Sequence, residues 1–398
     1  MNILIVAHFT QIPSENGNNR FNYIANLLGN KKENKIELIT TQFSHKFKKL
    51  RNIKEEELKV LNYKLTMIKE PGYKKNISLK RFFSHYIFSK NLKKYLKTIK
   101  IMPDVIYCAI PTLNTAKVVA EFAKKNNIRF ILDIQDLWPE AFKMVFNIPF
   151  ISDIIFLPME IKANNIYKKA DSIVAVSNTY LERAKKINKK SAKNIVVFLG
   201  TNLEEFDKNK KDLNKDDTKI TIVYIGTLGH SYNIKLIIDA IKVLNKKGFN
   251  NIKFLIMGDG PLKEEFMQYA KKNQIDCVFT GMIKYDEMIS KLCICDIAVN
   301  PINSGSAGSI INKVGDYAAA GLPVINTQEN KEYRNLVEEY NIGFNCNNNK
   351  EDVAEKIEML INNETLRKKM GNNNRKLAEE KFDRKKNYKK IVNLIEKG

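Results

Sequence analysis

The chain has 398 residues, more than one hydrophobic core usually organises, so we expect two domains. Its 67 Lys and Arg outnumber its 44 Asp and Glu, and the net charge of +23 indicates either an anionic partner or a composition biased towards Lys, Asn and Ile. The apolar runs are too short for a membrane span, and the first residues lack the basic and small-residue parts of a signal peptide, so we expect a cytoplasmic protein.

The first half contains continuous apolar runs, which predict strands that are buried on both faces. These runs occupy 3–7, 36–40, 105–109, 129–133, 172–176 and 195–199. The stretches between them are amphipathic, which is typical of crossover helices. This alternation predicts an α/β fold with a doubly wound parallel sheet in each half of the chain, and the first domain is placed at 1–200.

A polar and charged segment at 201–219 has no apolar stripe, and it predicts a linker between the domains. Further strand-like runs follow at 220–226, 253–258, 277–281, 297–301 and 323–327. The second domain is therefore placed at 220–380.

The cysteines and histidines do not show the spacing of a metal or redox site. Cys293 and Cys295 are separated by one residue, which matches neither a zinc knuckle nor a C-x-x-C motif. No two of the four histidines stand at the spacing of metal ligands. We therefore expect buried reduced thiols, no metal and no other cofactor.

The stretch SGSAGSIINKVGDYAAAGLPVINT, residues 304–327, follows the predicted strand at 297–301. Ligands of open α/β sheets bind outside the carboxyl ends of the strands, where small residues allow a close approach to the backbone. We expect a helix here whose positive N-terminal end, together with Lys313 about one turn inside it, binds a phosphate. Asp316, on the same helix face as Asn312 and Lys313, would accept hydrogen bonds from sugar hydroxyls.

The alternative for this stretch is that Lys313 and Asp316 form a solvated pair behind a flexible loop. Two further glycine turns, in YIGTLGHS and MGDGPL, follow the first two strands of the second domain. They fall at the same edge of the predicted sheet and favour the ligand site.

These pieces, with CVFTGMIKYDEM and LCICDIAVNP, resemble in order and spacing the retaining glycosyltransferases of family 4, which have the two-domain GT-B fold. In the first half, DIQDLWPEAF resembles the subgroup that builds bacterial capsule, O-antigen and similar surface polysaccharides. SENGNNRF resembles the acceptor-side loop of the family, and FLGTNLEEF resembles the segment that enters the linker. The resemblance covers almost the whole chain.

The resemblance implies that a hexosyl or N-acetylamino sugar moves from a nucleotide-sugar donor to an acceptor, with retention of configuration and without a metal. The second Rossmann-like domain would bind the donor and the first would bind the acceptor, on the two sides of a cleft. The final helix, 381–398, would cross back to the first domain. For surface polysaccharides the acceptor would be a lipid-linked glycan, at the inner face of the cell membrane.

By the same resemblance, Asp316 matches the second Glu of the Glu–seven residues–Glu motif of the family, which holds the nucleotide ribose. The first Glu, which contacts the donor sugar, falls on Gly308, so the sugar stays open. The basic pair of the first glycine turn corresponds to Thr227 and Tyr232, and the phosphate charge would come from Lys313 and the helix amides. Weaker candidates for that charge are His230 and Lys235.

The candidate site residues fall into three groups. The predicted donor-binding residues are Gly226, Thr227, Gly229, Gly258, Gly281, Ile283, Ser309, Asn312, Lys313 and Asp316. The predicted acceptor-binding residues are His8, Gly17, Asn18, Arg20 and Trp138. The predicted catalytic residues are Asp136, Lys313 and Asp316. Asp136 either orients the acceptor or the sugar, or caps a helix before Pro139; His8 either faces the acceptor or has a structural role.

Two other protein classes stay open as alternatives. A nucleotide-sugar epimerase or dehydrogenase needs G-x-G-x-x-G after its first strand, where this chain has AHFTQIPSENGNNRF. A nucleic-acid-binding protein is indicated by the charge alone. The sequence has no zinc-finger spacing, RRM-type aromatics or clear helix-turn-helix, so we expect no nucleic-acid partner.

Positive charge is concentrated between Pro71 and Pro103, where nine Lys and Arg occur without any Asp or Glu. Within it, 78–100 interleaves cations with aromatic and aliphatic residues, which predicts an interfacial helix on an anionic membrane surface. The alternative is that its apolar stripe packs on the first domain with the lysines in solvent. A second candidate for membrane contact is 146–161, which is too short and interrupted to span a bilayer.

Overall fold

The structure is a computed structural model, which describes residues 1–15, 20–76, 78–145, 148, 150–190, 193–211, 213–306 and 309–398. Three residues discussed above, Gly17, Asn18 and Gly308, lie outside the described residues. The chain divides into two compact units. The first comprises Met1–Val197 and Tyr388–Gly398, and the second comprises Phe198–Asn387.

The first unit is an α/β unit with a parallel main sheet. Its strands are β1 Asn2–Val6, β2 Lys35–Thr41, β3 Phe43–Ser44, β4 Lys49–Leu50, β5 Lys64–Ile68, β6 Val105–Ile110, β7 Arg129–Ile134, β8 Ser172–Ala175 and β9 Lys193–Val196. Its helices are α1 Arg20–Gly29, α2 Glu55–Lys59, α3 Leu79–Leu96, α4 Leu113–Lys125, α5 Glu140–Val145, α6 Ile151–Tyr167 and α7 Asn178–Lys185. The main sheet has the order β5-β2-β1-β6-β7-β8-β9, and β3 and β4 form a separate antiparallel pair.

The second unit is built on a six-stranded parallel sheet. Its strands are β10 Ile220–Ile225, β11 Ile252–Met257, β12 Cys277–Gly281, β13 Ile297–Asn300, β14 Val324–Asn326 and β15 Gly343–Asn345. Its helices are α8 Leu203–Asn209, α9 Ile234–Lys246, α10 Lys263–Lys272, α11 Tyr285–Leu292, α12 Lys313–Ala319, α13 Lys331–Glu339, α14 Lys350–Asn362 and α15 Glu364–Leu377, followed by a π-helical turn at Ala378–Phe382 and by α16 Arg384–Lys397. The strand order is β12-β11-β10-β13-β14-β15.

Both faces of the second sheet are buried, which explains the continuous apolar runs. On β10, Val223 and Ile225 belong to one core cluster, while Ile222 and Tyr224 belong to another. Successive strand residues point to opposite faces, so each face needs its own layer of helices. The predicted α/β class with two doubly wound parallel sheets is confirmed.

The end of α16 belongs to the first unit, although the helix begins in the second. Tyr388, Ile391 and Ile395 are fully buried in a core cluster with Ile3 and Tyr107. The apolar stripe of this helix therefore has the first sheet as its packing partner.

Three segments differ from the sequence-based expectation. The strands β5 and β15 are not predicted, because the first is an edge strand without a continuous apolar run and the second has only three residues. The expected linker contains α8, in which Leu203 and Phe206 are buried in the core of the second unit. Two apolar residues three apart anchor this helix, and such a short pattern is hard to recognise in a polar segment.

Candidate functional site

Three predicted glycines meet at the carboxyl ends of β10, β11 and β12. Gly226 has a φ of +127°, a conformation that side-chain-bearing residues rarely adopt. A Cβ atom on Gly258 would lie 1.8 Å from the carbonyl oxygen of Gly226, so only glycine fits there. Gly258 also pairs with Gly281 in an isolated bridge. The glycines therefore let three strand ends pack closely, and they form one edge of the candidate site.

Lys313 lies beside this edge, but it is placed differently from the expectation. The helix α12 begins at Lys313 itself, so the side chain is not one turn inside the helix. Its Nζ atom lies 3.8 Å from the centroid of the Tyr224 ring and 3.9 Å from that of Tyr232. The side chain is 8% exposed, and Nζ has no hydrogen-bond partner among the described residues.

Two opposing effects act on the charge of Lys313. Burial lowers the pKa of the Lys313 amine well below its ordinary value, because a charge is poorly solvated inside the protein. The faces of the Tyr224 and Tyr232 rings carry negative quadrupole potential and favour the protonated amine. An anion that reached this amine would add to the second effect and hold the proton on Lys313.

Asp316 is held by two hydroxyl groups. Thr201 Oγ1 donates to Asp316 Oδ1 at 3.0 Å, and the Tyr285 hydroxyl donates to the same oxygen at 2.8 Å. In the described part of the chain no hydrogen bond reaches Oδ2. Burial raises the pKa of Asp316, while the hydrogen bonds from Tyr285 and Thr201 act in the opposite direction. Since Lys313 is buried against tyrosine rings, the alternative of a solvated Lys313–Asp316 pair is wrong.

Two residues before α12 form hydrogen bonds with the segment that follows β14. The Gln328 side chain donates to the carbonyl oxygen of Ser309 at 2.7 Å, and the Gly305 amide donates to Glu329 at 3.0 Å. The exposed Asn312 is the last residue before the helix and makes no capping hydrogen bond with its side chain. Gly305 and Ser309 are therefore each bonded to the segment that follows β14.

The other predicted donor-binding residues lie on nearby turns. Thr227 and Gly229 occupy the turn after β10, where the Tyr224 hydroxyl donates to the Thr227 carbonyl oxygen at 2.7 Å. Ile283, after β12, packs against the core of the unit. Of the weaker candidates for a phosphate-binding charge, His230 is exposed, while Lys235 forms an ion pair with Glu265 at 2.5 Å. That pair neutralises Lys235 locally and favours Lys313.

In the first unit, His8 is buried at the carboxyl end of β1. Its Nε2 atom lies 2.8 Å from Glu70 Oε1, and its ring stacks on Phe88 with centroids 3.8 Å apart. Glu70 also accepts hydrogen bonds from the hydroxyls of Thr41 and Ser84. Burial acts to raise the pKa of Glu70, but the hydrogen bond and charge of His8 and the two hydroxyls lower it to about 2. Glu70 is thus an ionised buried partner of His8, which the sequence analysis does not identify.

His8 and Trp138 are connected through His85. The rings of His8 and His85 meet edge to face at 5.0 Å, and His85 stacks on Trp138 at 6.1 Å. The guanidinium of Arg81 lies 5.0 Å from the Trp138 ring centroid. Burial, and then the neighbouring His8 and Arg81, lower the pKa of His85 to about 2, so its imidazole is neutral. The structure therefore brings two predicted acceptor-binding residues together.

Asp136 lies near this cluster but does not cap a helix. Its Oδ1 atom accepts from the Leu137 amide at 2.9 Å and from the Tyr180 hydroxyl at 3.3 Å. A capping side chain bonds to an amide two or three residues into the helix, whereas α5 begins at Glu140. The capping alternative is therefore wrong. Burial raises the pKa of Asp136, against the effect of its hydrogen bonds.

Arg20 is part of the core of the first unit. Its Nε atom donates to Asp133 at 2.9 Å and its Nη1 atom donates to the Val197 carbonyl oxygen at 2.9 Å. The side chain is 2% exposed, and its guanidinium also lies over the Tyr388 ring at 5.0 Å. These contacts account for Arg20 as a structural residue, and its role in acceptor binding stays a prediction.

The residues that the structure describes contain no group of three or more His, Cys, Asp or Glu side chains that could hold a metal ion. Within the same ranges, no helix combines the length and the apolar character that crossing a membrane requires. The five cysteines are free thiols.

Residues 205–377 match the sequence model of the family described as Glycosyl transferases group 1. An uncharacterized glycosyltransferase of Methanocaldococcus jannaschii is 30% identical over 251 residues, which are 62% of this chain and 65% of that protein. The capsular polysaccharide biosynthesis glycosyltransferase CapM of Staphylococcus aureus is 26% identical over 229 residues, 54% of this chain and 58% of that protein.

A third relative, from Campylobacter jejuni, is named GalNAc-alpha-(1->4)-GalNAc-alpha-(1->3)-diNAcBac-PP-undecaprenol alpha-1,4-N-acetyl-D-galactosaminyltransferase. It is 26% identical over 157 residues, 38% of this chain and 41% of that protein. The chain thus spans less than two thirds of the length of each of these relatives.

Solved structures match over nearly the whole chain. Sucrose-phosphate synthase from Thermosynechococcus elongatus has a TM-score of 0.71 and 13% identity, covering 99% of this chain and 98% of that chain. HepE of Anabaena, solved in complex with UDP, has a TM-score of 0.70 and 14% identity, covering 99% of both chains. WaaG, a glycosyltransferase involved in lipopolysaccharide biosynthesis, has a TM-score of 0.69 and 12% identity over 100% of both chains. We conclude that the chain has the GT-B fold and that residues 205–377, in its second unit, are similar to the family of glycosyl transferases group 1.

Proposed function

We propose that the protein is a retaining, metal-independent glycosyltransferase that moves a hexosyl or N-acetylamino sugar from a nucleotide-sugar donor to a lipid-linked glycan. In this proposal the second unit binds the donor, the first unit binds the acceptor, and the product is part of a surface polysaccharide. The observation that carries the proposal is the buried amine of Lys313, which has no hydrogen-bond partner among the described residues and lies at the carboxyl ends of parallel strands.

Burial of an amine that has no hydrogen-bond partner destabilises the folded protein, so we interpret this amine as a group whose partner is supplied by a ligand. The bond between the anomeric carbon and the diphosphate breaks during transfer, and negative charge grows on the departing phosphate oxygen. A fixed cation next to that oxygen stabilises the transition state more than the ground state. The acceptor hydroxyl forms the new bond, and its proton passes to the departing phosphate.

Asp316 supports the nucleotide part of the donor. Tyr285 and Thr201 hold one of its oxygens and leave Oδ2 without a protein partner among the described residues. A carboxylate oriented in this way accepts hydrogen bonds from ribose hydroxyls. The HepE protein, a structural neighbour, is solved with UDP, which agrees with a nucleotide in this fold.

The acceptor side of the proposal rests on the relatives and on α3. Two relatives are named for capsular polysaccharide synthesis and for transfer to an undecaprenol-linked glycan. The outward face of α3 carries the exposed Phe82, Phe83 and Tyr86 in its first half. The second half carries the exposed lysines Lys90, Lys93 and Lys94, and the exposed Lys97 follows its last residue. This order, apolar and then basic, suits a peripheral contact with an anionic membrane at the cytoplasmic face.

The inward face of the same helix is apolar as well, as expected from the alternative for 78–100 in which the apolar stripe packs on the first domain. Phe88, Leu92 and Leu96 are buried in the first unit, so the stripe that they form packs on the domain. Only the outward residues are free for a membrane contact. The alternatives of an epimerase, a dehydrogenase or a nucleic-acid-binding protein gain no support from these observations.

The test is a screen of purified protein for hydrolysis of UDP-, GDP- and TDP-sugars, and for transfer to a lipid-linked glycan, with and without a chelator. We expect turnover of one donor that the chelator does not change. Lys313→Met should abolish turnover, and Lys235→Met is the matched control because Lys235 already has a carboxylate partner. Equal activity of both variants would reject Lys313 as the phosphate-stabilising residue, and no turnover of any donor would reject the function.

A further inference from the structure

An unusual share of exposed apolar side chains is concentrated in two segments of the first unit. Half of the large apolar side chains that are exposed in the described chain lie within 79–86 or 144–161. The two segments touch through aromatic contacts: Phe142 lies 5.7 Å from Phe82 of α3 and 5.9 Å from Phe156 of α6, between ring centroids. The two segments therefore adjoin at Phe142, and together they present an apolar surface with more exposed side chains than a scatter of single residues would give.

A cavity opens within this surface. Its volume is about 320 Å³, within the range of small-ligand pockets. The residues that matter for its chemistry are Phe82, His85, Trp138, Ile155, Met159 and Lys162. Most of the lining is aromatic or aliphatic, so the cavity suits a hydrocarbon better than a sugar.

The inner wall of the cavity is shared with the predicted acceptor residues. Trp138 lines it, and His85 stacks on Trp138 and meets His8 edge to face. The outer wall is formed by Ile155, which is 63% exposed. A chain in this cavity would therefore extend from the exposed apolar surface to the residues expected to bind the acceptor.

The lining of the cavity also includes a basic side chain, Lys162. Lys162 Nζ donates to Asn114 Oδ1 at 2.7 Å, and no carboxylate pairs with it among the described residues. Burial, followed by the positive charge of Lys117, lowers the pKa of Lys162. A phosphate at this position would relieve the repulsion between the two lysines.

We propose that this cavity binds the hydrocarbon chain of a lipid-linked acceptor next to its phosphate group, with the phosphate at Lys162. The inference rests on the proposed function, because the occupant is the lipid of that acceptor. It adds a binding subsite for the lipid, formed by α3, α4 and α6, to the sites for the donor and the glycan. The enzyme would thus recognise the lipid and not only the sugars attached to it.

The test uses Trp138, the single tryptophan of the chain, as a fluorescent reporter in the cavity wall. Hexyl, octyl and decyl phosphate are titrated below their micelle concentrations, with inorganic phosphate and octanol as controls. We expect the Trp138 emission to change with each alkyl phosphate, and affinity to rise about fourfold per methylene until the cavity is full. Inorganic phosphate should leave the emission unchanged.

Three variants distinguish binding inside the cavity from binding to the surrounding apolar surface. Ile155→Asp places a charge in the cavity wall and should lower the affinity for octyl phosphate by about tenfold or more. Ile154→Asp is the matched control, because Ile154 is 73% exposed on the same helix and does not line the cavity. Lys162→Gln should remove most of the preference for octyl phosphate over octanol.

Equal weakening by Ile155→Asp and Ile154→Asp would show contact with a general apolar surface and would overturn the subsite. Unchanged Trp138 emission with decyl phosphate would overturn it as well. Both outcomes differ from failure of the proposed function, which is measured by donor turnover in the second unit. Turnover without alkyl phosphate binding rejects only this subsite. Alkyl phosphate binding without turnover rejects the transferase, and with it the acceptor lipid as the occupant, and leaves a cavity that binds alkyl phosphates.

Discussion

The amine of Lys313 lies 3.8 Å from the centroid of the Tyr224 ring, at the carboxyl end of the first strand of the second unit. Tyr232 covers the same amine from another side at 3.9 Å. The sequence resemblance assigns a basic residue of the family to the position of Tyr232. In this chain an aromatic ring stands there instead, and it contacts the cation that Lys313 supplies from α12.

Replacing Lys313 by Met should stabilise the protein while abolishing turnover. Met fills a similar volume without an amine, so the variant avoids the cost of burying a group that lacks a partner. We expect the free energy of unfolding at pH 7 to rise by about 1–3 kcal/mol. The measurement is urea unfolding beside donor hydrolysis. A less stable variant would mean that the ring contacts of Lys313 outweigh its burial.

Binding of the nucleoside diphosphate of the active donor should take up protons. Burial lowers the pKa of Lys313 in the free protein, and an anion beside the amine raises it again. Uptake approaches one proton where the free amine is neutral and the complexed amine is charged, and affinity falls as pH rises through that window. Calorimetry in buffers with different ionisation enthalpies measures the uptake. The same uptake by Lys313→Met would assign the proton to another group.

Asp316→Asn should weaken donor binding by roughly 1–3 kcal/mol, because a charged acceptor of hydrogen bonds becomes neutral. Tyr285→Phe removes one of the two donors that hold Asp316 Oδ1 and should have a smaller effect. Since that hydrogen bond lowers the pKa of Asp316, its loss should move the acidic limb of the activity profile to higher pH. Binding isotherms and pH profiles of both variants check this. If both variants show the donor affinity and the pH profile of the wild type, Asp316 is not part of the donor site.

Glu70→Gln should destabilise the first unit at neutral pH. The pKa of Glu70 falls from 4.5 to about 2 on folding, so its charged form stabilises the folded state above pH 4.5, and this contribution is lost as pH falls towards 2. We expect the variant to lose roughly 3 kcal/mol at pH 7 and much less at pH 2. Unfolding followed by Trp138 fluorescence reports on this unit. A loss that does not depend on pH would point to packing and not to the charge.

Changing Lys90, Lys93, Lys94 and Lys97 to Gln should release the protein from anionic vesicles. Each lysine near such a surface contributes about 1 kcal/mol, which salt screens. Donor hydrolysis should be unaffected, because the proposed donor site lies in the other unit. Co-sedimentation at low and high salt is the measurement. If the wild type and the variant sediment equally, the second half of α3 does not contact the membrane.

Much of the fold follows from local sequence pattern. Strands such as β1 and β10 are continuous apolar runs because both of their faces are buried, and such runs are visible without knowledge of their neighbours. The edge strand β5 and the three-residue β15 are defined mainly by pairing with β2 and β14. Pairing joins distant residues, so single-sequence patterns do not reveal it.

The candidate site, too, is only partly predictable from the sequence. The glycine turns and the spacing of Lys313 and Asp316 stand in the sequence and indicate a ligand at strand ends. The hydrogen-bond partners of Asp316 cannot be recognised from the sequence, because Thr201 is 115 positions away and Tyr285 is 31 positions away. In the first unit, the pairing of His8 with Glu70 spans 62 positions.

By itself, therefore, the sequence determined the α/β class, the two halves and the strand ends that carry small and charged residues, since these follow from the periodicity of side chains along the chain. Only the tertiary structure decided which of those side chains are solvated. Lys313 differs from a surface lysine because two tyrosine rings cover it, and Arg20 is tied to Asp133 in a core. Burial depends on everything that packs around a side chain, and it sets the charge that the chemistry can use.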